Sequence, residues 1–274
     1  MNRPARQSFP DKSLLAMVGL KPLPGAPLYG GSEQAVVDAA MADVEAYSRA
    51  GVDAILVENS GDLPYMKPPL EEAAGLLVEQ ICAMIRSRWK GPLGLQLLEA
   101  ANEQALRIAA NCAMDYIRVE GFVFAHVGGA GLIEGCAGRL LRLRRRLGAE
   151  SIRVFADVRK KHCAHALTGD LPLSEHVRQA DFFRADGIVV TGPRTGTEPE
   201  TTDLLASRQA CDLPLLIGSG MNAGNLERFF PEADGFIVGS DFREEGAFLG
   251  KLSAARLESF MSVFRRLKNG ERIG

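Results

Sequence analysis

Asp186-Gly-Ile-Val-Val190 is one of four versions of a single short string. Asp53-Ala-Ile-Leu-Val57, Asp115-Tyr-Ile-Arg-Val119 and Asp234-Gly-Phe-Ile-Val238 share its form: Asp, any residue, an apolar residue, any residue, Val. Each copy is a short, largely apolar run, and other such runs stand between the copies. The full set predicts strands over 14–20, 52–58, 93–98, 116–120, 152–158, 187–191, 214–219 and 235–239. Most of these runs are continuously apolar rather than alternating, which suits a sheet covered on both faces. The four versions fall on the second, fourth, sixth and eighth strands.

Longer amphipathic stretches separate the strands and predict helices over 32–50, 69–89, 102–111, 133–147, 172–184, 199–210, 222–230 and 251–267. Ser32 is placed to cap the first helix and Gly51 to end it. Strict alternation of strand and helix implies a parallel sheet. Eight such units in about 250 residues give a single (β/α)8 TIM barrel, with an open doubly wound sheet as the alternative. In a closed barrel, alternate strands feed the same interior layers, so a signature confined to even-numbered strands favours closure. The expected organisation is an N-terminal tail over 1–12 and one barrel domain over 13–274.

Composition narrows the function classes. The 274 residues carry 32 Lys and Arg against 34 Asp and Glu, a formal charge of −2. That balance, with one Trp and four Tyr, excludes a nucleic-acid-binding surface of the usual basic, aromatic kind. The run 139–146 (RLLRLRRR) reads as a solvated helix face behind leucines 140, 143 and 147. Five widely spaced cysteines with no CxxC argue against a disulfide framework or a structural zinc site, and for a reducing, cytoplasmic setting. The N-terminus lacks an apolar signal region, and no apolar run reaches the ~20 residues of a membrane helix. No membrane insertion is expected.

In such barrels the chemistry lies at the C-terminal ends of the strands. After the four valines stand Glu58, Glu120, Thr191 and Gly239, so two acids share one position at the mouth. The second loop continues with Asn59 and Asp62, the third strand holds Gln96, and the fifth ends at Asp157, followed by Lys161 and His162. Glu58, Asp62, Asp157, Lys161 and His162 are the candidate acid–base residues, and the acids leave a divalent cation open. Lys21 in the Pro-rich first loop, Asn59, Gln96, Glu120, Thr191 and Thr195 are candidate substrate contacts. His126, His165 and His176 read as loop or helix-surface residues. Gly-rich turns at Gly218-Ser219-Gly220 and Gly239-Ser240 suit a phosphate group, because glycine lets an anion approach backbone N–H groups closely.

Several of these segments occur together in a known family. Residues 17–27 (MVGLKPLPGAP), 52–64 (VDAILVENSGDLP), 131–135 (GLIEG), 155–162 (FADVRKKH), 187–196 (GIVVTGPRTG), 215–220 (LLIGSG) and 234–242 (DGFIVGSDF) make the chain resemble the BtpA/SgcQ family. The resemblance implies a barrel of the ribulose-phosphate-binding type over nearly the whole length. It also implies a link with photosystem I assembly in photosynthetic bacteria, and enzyme-like members elsewhere. This sequence departs from the family's pattern at Gly19, at 96–101 (QLLEAA) and at 121–126 (GFVFAH). Two readings follow. One is an enzyme acting on a phosphorylated sugar or nucleoside-like small molecule, working as a homo-oligomer. The other is a non-catalytic assembly factor for a membrane complex.

Overall fold

The computed structural model describes residues 11–194 and 196–271. In chain order the strands are β1 (Ser13–Gly19), β2 (Ala54–Glu58), β3 (Leu93–Gln96), β4 (Tyr116–Val119), β5 (His126–Gly128), β6 (Gly131–Ile133), β7 (Arg153–Val158), β8 (Gly187–Val190), β9 (Leu215–Ile217) and β10 (Gly235–Val238). The helices are α1 (Glu33–Ala50), α2 (Glu72–Arg88), α3 (Asn102–Asn111), α4 (Ala137–Arg146), α5 (Leu173–Phe182), α6 (Thr201–Ala210), α7 (Leu226–Phe229) and α8 (Ala254–Lys268). Among the described residues, eight parallel strands close into a barrel, each paired with its neighbours in chain order and β10 with β1. β5 and β6 form a separate antiparallel hairpin. No helix among these residues is long and apolar enough to cross a membrane.

The local chemistry explains the elements. Ser32 Oγ accepts from the Ala35 N–H at 3.2 Å, and Gly51 closes α1 in the left-handed region at φ 71°. α7 is shorter than predicted because Asn222 Oδ1 accepts from the N–H groups of Gly224 and Asn225, at 2.9 and 3.1 Å. That side chain holds 222–225 as a turn in place of a helical start. The β5–β6 hairpin was not foreseen. Its strands are three residues long and joined through a Gly-rich turn, too short for any periodicity to show.

The repeated string works differently from the sequence expectation. Its apolar and Val positions (Ile55, Val57, Ile117, Val119, Ile188, Val190, Phe236, Val238) belong to the large core shared with the helices. Strand side chains alternate, so the variable positions turn inward. Closure is correct, but the shared residues face the helix layer, and the barrel interior is filled by the residues that differ.

The four aspartates lie at the opposite end from the mouth. Each accepts a backbone N–H from the start of the preceding strand: Asp53 from Leu14 at 2.9 Å, Asp115 from Leu93 at 2.9 Å, Asp186 from Val154 at 2.9 Å, and Asp234 from Leu215 at 2.7 Å. Each also meets a cation: Lys268, Arg86, Arg144 and Arg208, respectively. Arg144 corrects one expectation. It turns inward from the arginine run, is buried with Asp186, and does not join a solvated face.

Inside the barrel, Leu15, Ala54, Leu56, Tyr116, Phe155, Val189, Leu216 and Ile237 form a second, smaller core. Tyr116 and Phe155 meet edge-on at 5.5 Å, and the Tyr116 hydroxyl donates to the Ile55 carbonyl at 2.8 Å. β3 contributes Gly94 at this level. A Cβ there would sit 2.0 Å from the Tyr116 ring, so glycine is what admits the tyrosine. This apolar plug seals the barrel and forms the floor of the mouth.

Candidate active site

One step along each strand above the plug, five of the eight inward positions are polar: Glu58, Gln96, Arg118, Asp157 and Thr191. Met17, Gly218 and Gly239 complete the ring, each of the eight lying two residues beyond a plug residue or Gly94. Arg118 lies at the centre of this ring. Its Nε donates to Asp157 Oδ1 at 3.0 Å, and its Nη1 lies 4.0 Å from Glu58. All three side chains are buried. An arginine keeps its charge in such a place, so the two carboxylates are required beside it. Gly218 makes room, since a Cβ there would lie 3.1 Å from Arg118 Nη2 and 2.6 Å from Val189. Ser60 Oγ donates to the other oxygen of Glu58 at 2.7 Å.

A second charged group adjoins the first. Lys160 reaches Glu99 at 2.8 Å and Glu120 at 3.1 Å. Glu120 also accepts from Gln96 Nε2 at 3.2 Å and from the Ala100 N–H at 3.0 Å. Burial pushes the Glu120 carboxyl up to about 7, against the opposing pull of Lys160. Burial acts on Glu99 too. There the Lys160 hydrogen bond and the hairpin N–H groups of Ala130 and Gly129 outweigh it and hold the carboxyl below its usual range. Lys160 is held firmly protonated, because its two carboxylates outweigh the effect of burial.

Lys161, the next residue, is different. Among the described residues no hydrogen bond or ion pair engages its ammonium. Burial, aided by Arg118, lowers its pKa below the usual lysine range, although Glu58, Asp157 and Glu120 oppose the shift. His162 is lowered by burial and by Lys161, Lys160 and Arg194.

Three adjacent lobes at the mouth share lining residues. A cavity of about 320 Å3 is lined by Glu58, Gln96, Glu120, Asp157, Lys161 and His162, all foreseen, and by Arg118, Glu99 and Lys160. Its apolar wall is Leu63, Pro64, Tyr65, Leu98 and Phe248. A cleft of about 40 Å3 is lined by Gly218, Ser219, Gly220, Gly239 and Ser240 together with Glu58, Arg118 and Lys161. The third lobe, about 350 Å3, takes in Thr191, Arg159, Lys160, Lys161 and His162.

Three foreseen residues are not brought to these lobes. Lys21 is exposed and lines none of them. Asn59 is buried and fixes the Leu98 peptide, donating to its carbonyl at 3.0 Å and accepting from its N–H at 2.7 Å. Asp62 accepts from the Leu23 N–H at 3.3 Å and faces a separate cavity of about 220 Å3 under the Pro-rich loop. Thr195 lies outside the described residues. Within the cleft, the Ser219 hydroxyl already donates to the Thr197 carbonyl and accepts from the Gly192 N–H, both at 3.2 Å. His126 and His176 are buried and not surface residues, and burial brings each down to about 4. For the divalent cation, the described residues hold no group of three or more His, Cys, Asp or Glu side chains set to bind one. Arg118 and Lys160 already sit among the mouth acids.

Arg118, Glu99 and Lys160 escaped the sequence reading. Arg118 had a usable signal, since it is the one charged residue in the interior of any of the four repeated strings. Glu99 and Lys160 had only their place just past strand ends as a signal, because their pairing depends on a contact between two loops.

Solved structures share this architecture. Thiamine phosphate pyrophosphorylase from Pyrococcus furiosus matches with a TM-score of 0.58 at 12% identity, over 93% of this chain and 96% of that one. N-(5′-phosphoribosyl)anthranilate isomerase from the same organism matches with a TM-score of 0.57 at 13% identity, over 93% and 99%. At such identities the likeness is one of fold alone. Sequence relatives are nearer. A Caenorhabditis elegans protein named as mitochondrial is 39% identical over 260 residues, 93% of this chain and 94% of its own length. The photosystem I biogenesis protein BtpA of Synechocystis is 32% identical over 251 residues, 91% and 87% of the two chains. The family model described as the BtpA family matches residues 10–266. With the barrel, the ordered loop motifs and relatives over nearly its full length, this chain belongs to the BtpA family.

Proposed function

We propose that the protein is an enzyme acting on a phosphorylated sugar or nucleoside-like small molecule by acid–base chemistry at the C-terminal mouth of the barrel. One observation carries the reading: a buried network of acids and cations opens onto the same space as a glycine-lined cleft, and Glu58, Arg118 and Lys161 line both. Gly218, Ser219, Gly220, Gly239 and Ser240 would receive the phosphate, with Arg118 supplying permanent positive charge. Glu120 changes protonation near neutral pH and would carry the proton. Gln96 Oε1, Asp157 Oδ2 and Thr191 Oγ1 are buried without a hydrogen-bond partner. Buried polar atoms are ordinarily satisfied, so these three suit the hydroxyl groups of a sugar. A docking scaffold has no use for ionised groups turned into a cavity, which favours the enzyme over the assembly factor. The reading carries with it a cytoplasmic setting and a symmetric homo-oligomer, which cell fractionation and light scattering would check.

Thermal unfolding with ribose 5-phosphate, and separately with ribose, tests the reading. A ligand at about 100 times its Kd stabilises the native state by about 2.7 kcal/mol. The phosphate ester should raise Tm and ribose should not. If a panel of millimolar sugar and nucleoside phosphates leaves Tm unchanged, the reading is wrong.

A further inference from the structure

Lys160 and Lys161 are neighbours in sequence in opposite circumstances. Lys160 is clamped between Glu99 and Glu120. Lys161 has no partner among the described residues, and it is the only one of them that lines all three lobes of the mouth. A ligand with its phosphate in the glycine-lined cleft and its remainder in the wide cavity must pass this amine. If Lys161 served only to bind phosphate, it would repeat what Arg118 already provides in that cleft. Its place at the junction puts it beside the middle of such a ligand, not its charged end.

We propose that Lys161 is a nucleophile that forms an imine with the carbonyl carbon of a phosphorylated aldose or ketose. This rests on the phosphorylated-ligand reading above and adds the carbonyl group to it. In the step, the neutral amine attacks the carbonyl carbon, forming a C–N bond. The carbonyl oxygen takes a proton from Glu120 and becomes the hydroxyl of a carbinolamine. That hydroxyl then leaves as water with one proton from the nitrogen, which leaves the iminium on Lys161 and Glu120 ionised. Nothing is oxidised or reduced. The surroundings fit. Burial and Arg118 favour the neutral amine that must attack, and burial keeps Glu120 able to hold a proton near neutrality. The iminium, once formed, is a cation facing Glu58 and Asp157. It can withdraw electrons from the adjacent carbon, which is what isomerisation or carbon–carbon cleavage of a sugar phosphate requires.

The test is reductive trapping. The full chain is incubated with dihydroxyacetone phosphate, ribulose 5-phosphate or glyceraldehyde 3-phosphate in the presence of cyanoborohydride, then digested for peptide mass spectrometry. Thermal shifts are measured with the same ligands in parallel. The expected result is a secondary-amine adduct on Lys161 and none on Lys160, with no adduct from unphosphorylated dihydroxyacetone. Lys161→Arg should lose the adduct and keep the phosphate-dependent thermal shift. Stabilisation without any adduct on Lys161 overturns the imine and leaves the phosphorylated-ligand reading standing. Labelling that spreads equally over Lys160 and surface lysines also overturns it. Absence of both stabilisation and adduct removes both proposals.

Discussion

His126 and His176 show how a single side chain can set a pH limit on the whole protein. Both are buried and lowered to about 4, from an unfolded value near 6.5. Between those values the unfolded chain binds a proton at each histidine and the native chain does not. Their stabilising contribution is therefore complete above about pH 6.5 and is lost as pH falls towards 4. The slope is about 1.4 kcal/mol per pH unit for each histidine. His176 packs edge-on against Phe124 at 5.2 Å, and its Nε2 has no partner. His176→Phe should therefore flatten the slope by about that amount, read from urea midpoints at pH 4.5, 5.5 and 7. Arg118 sets a different limit. Arg118→Met leaves Asp157 and Glu58 buried without their cation, and should cost about 3–5 kcal/mol in calorimetric unfolding. A loss below ~1 kcal/mol would mean the acids take up protons at little cost.

The aspartates of the repeated strings make one contact in four settings, which permits a controlled comparison between strand pairs. Asp186 meets Arg144 where both side chains are buried, whereas Asp53 meets Lys268 where both are partly exposed. Asparagine keeps an oxygen for the strand N–H and removes only the charge. Asp186→Asn should cost about 3–5 kcal/mol, and Asp53→Asn no more than about 1 kcal/mol. Equal losses would show that the backbone hydrogen bond, not the ion pair, is what matters. The strands and helices were legible because their apolar runs and caps are local signals, as Ser32 and Gly51 illustrate. The β5–β6 hairpin was not, because its position over the mouth depends on Glu99 accepting from Ala130, a contact across 31 residues. The direction of the signature was misread for a related reason. A period of two shows which residues share a face of a strand, but a strand buried on both faces does not reveal which face is inside.

Across the whole molecule, the barrel divides into a dry floor and a charged mouth, and one strand, β4, links the two. Tyr116 fills the floor and Arg118, two residues on, occupies the mouth. Gly94→Ala would drive a methyl into the Tyr116 ring, and the surrounding strands cannot move apart without opening the barrel. Overpacking of this kind costs about 1–3 kcal/mol or more. The expected outcome is a lowered Tm, with the double variant Gly94→Ala, Tyr116→Phe no better, since the clash is with the ring and not the hydroxyl. Much of the candidate site was legible because its residues stand at the C-terminal ends of strands, where Glu58, Gln96, Glu120, Asp157 and Thr191 line the mouth. Asn59 and Asp62 stand away from the mouth because a side chain just past a strand end can equally well turn back to hold its own loop, and sequence spacing is the same in both cases.

The four aspartate clasps join β1 to β2, β3 to β4, β7 to β8 and β9 to β10. None joins β2 to β3, β4 to β7, β8 to β9 or β10 to β1, so the clasps divide the barrel into four strand pairs. The Gly129–Ala130 turn falls between two complete pairs on its N-terminal side and two on its C-terminal side. A chain severed at that turn keeps all four clasps, whereas one severed between β3 and β4 leaves Asp115 and Leu93 on different fragments. Co-expressed fragments 1–129 and 130–274 should assemble into a soluble, co-purifying pair, and fragments divided at residue 113 should not. The bottom of this barrel accordingly marks which divisions of the chain keep its strand pairs whole, and the turn of the hairpin that overhangs the mouth is one of them.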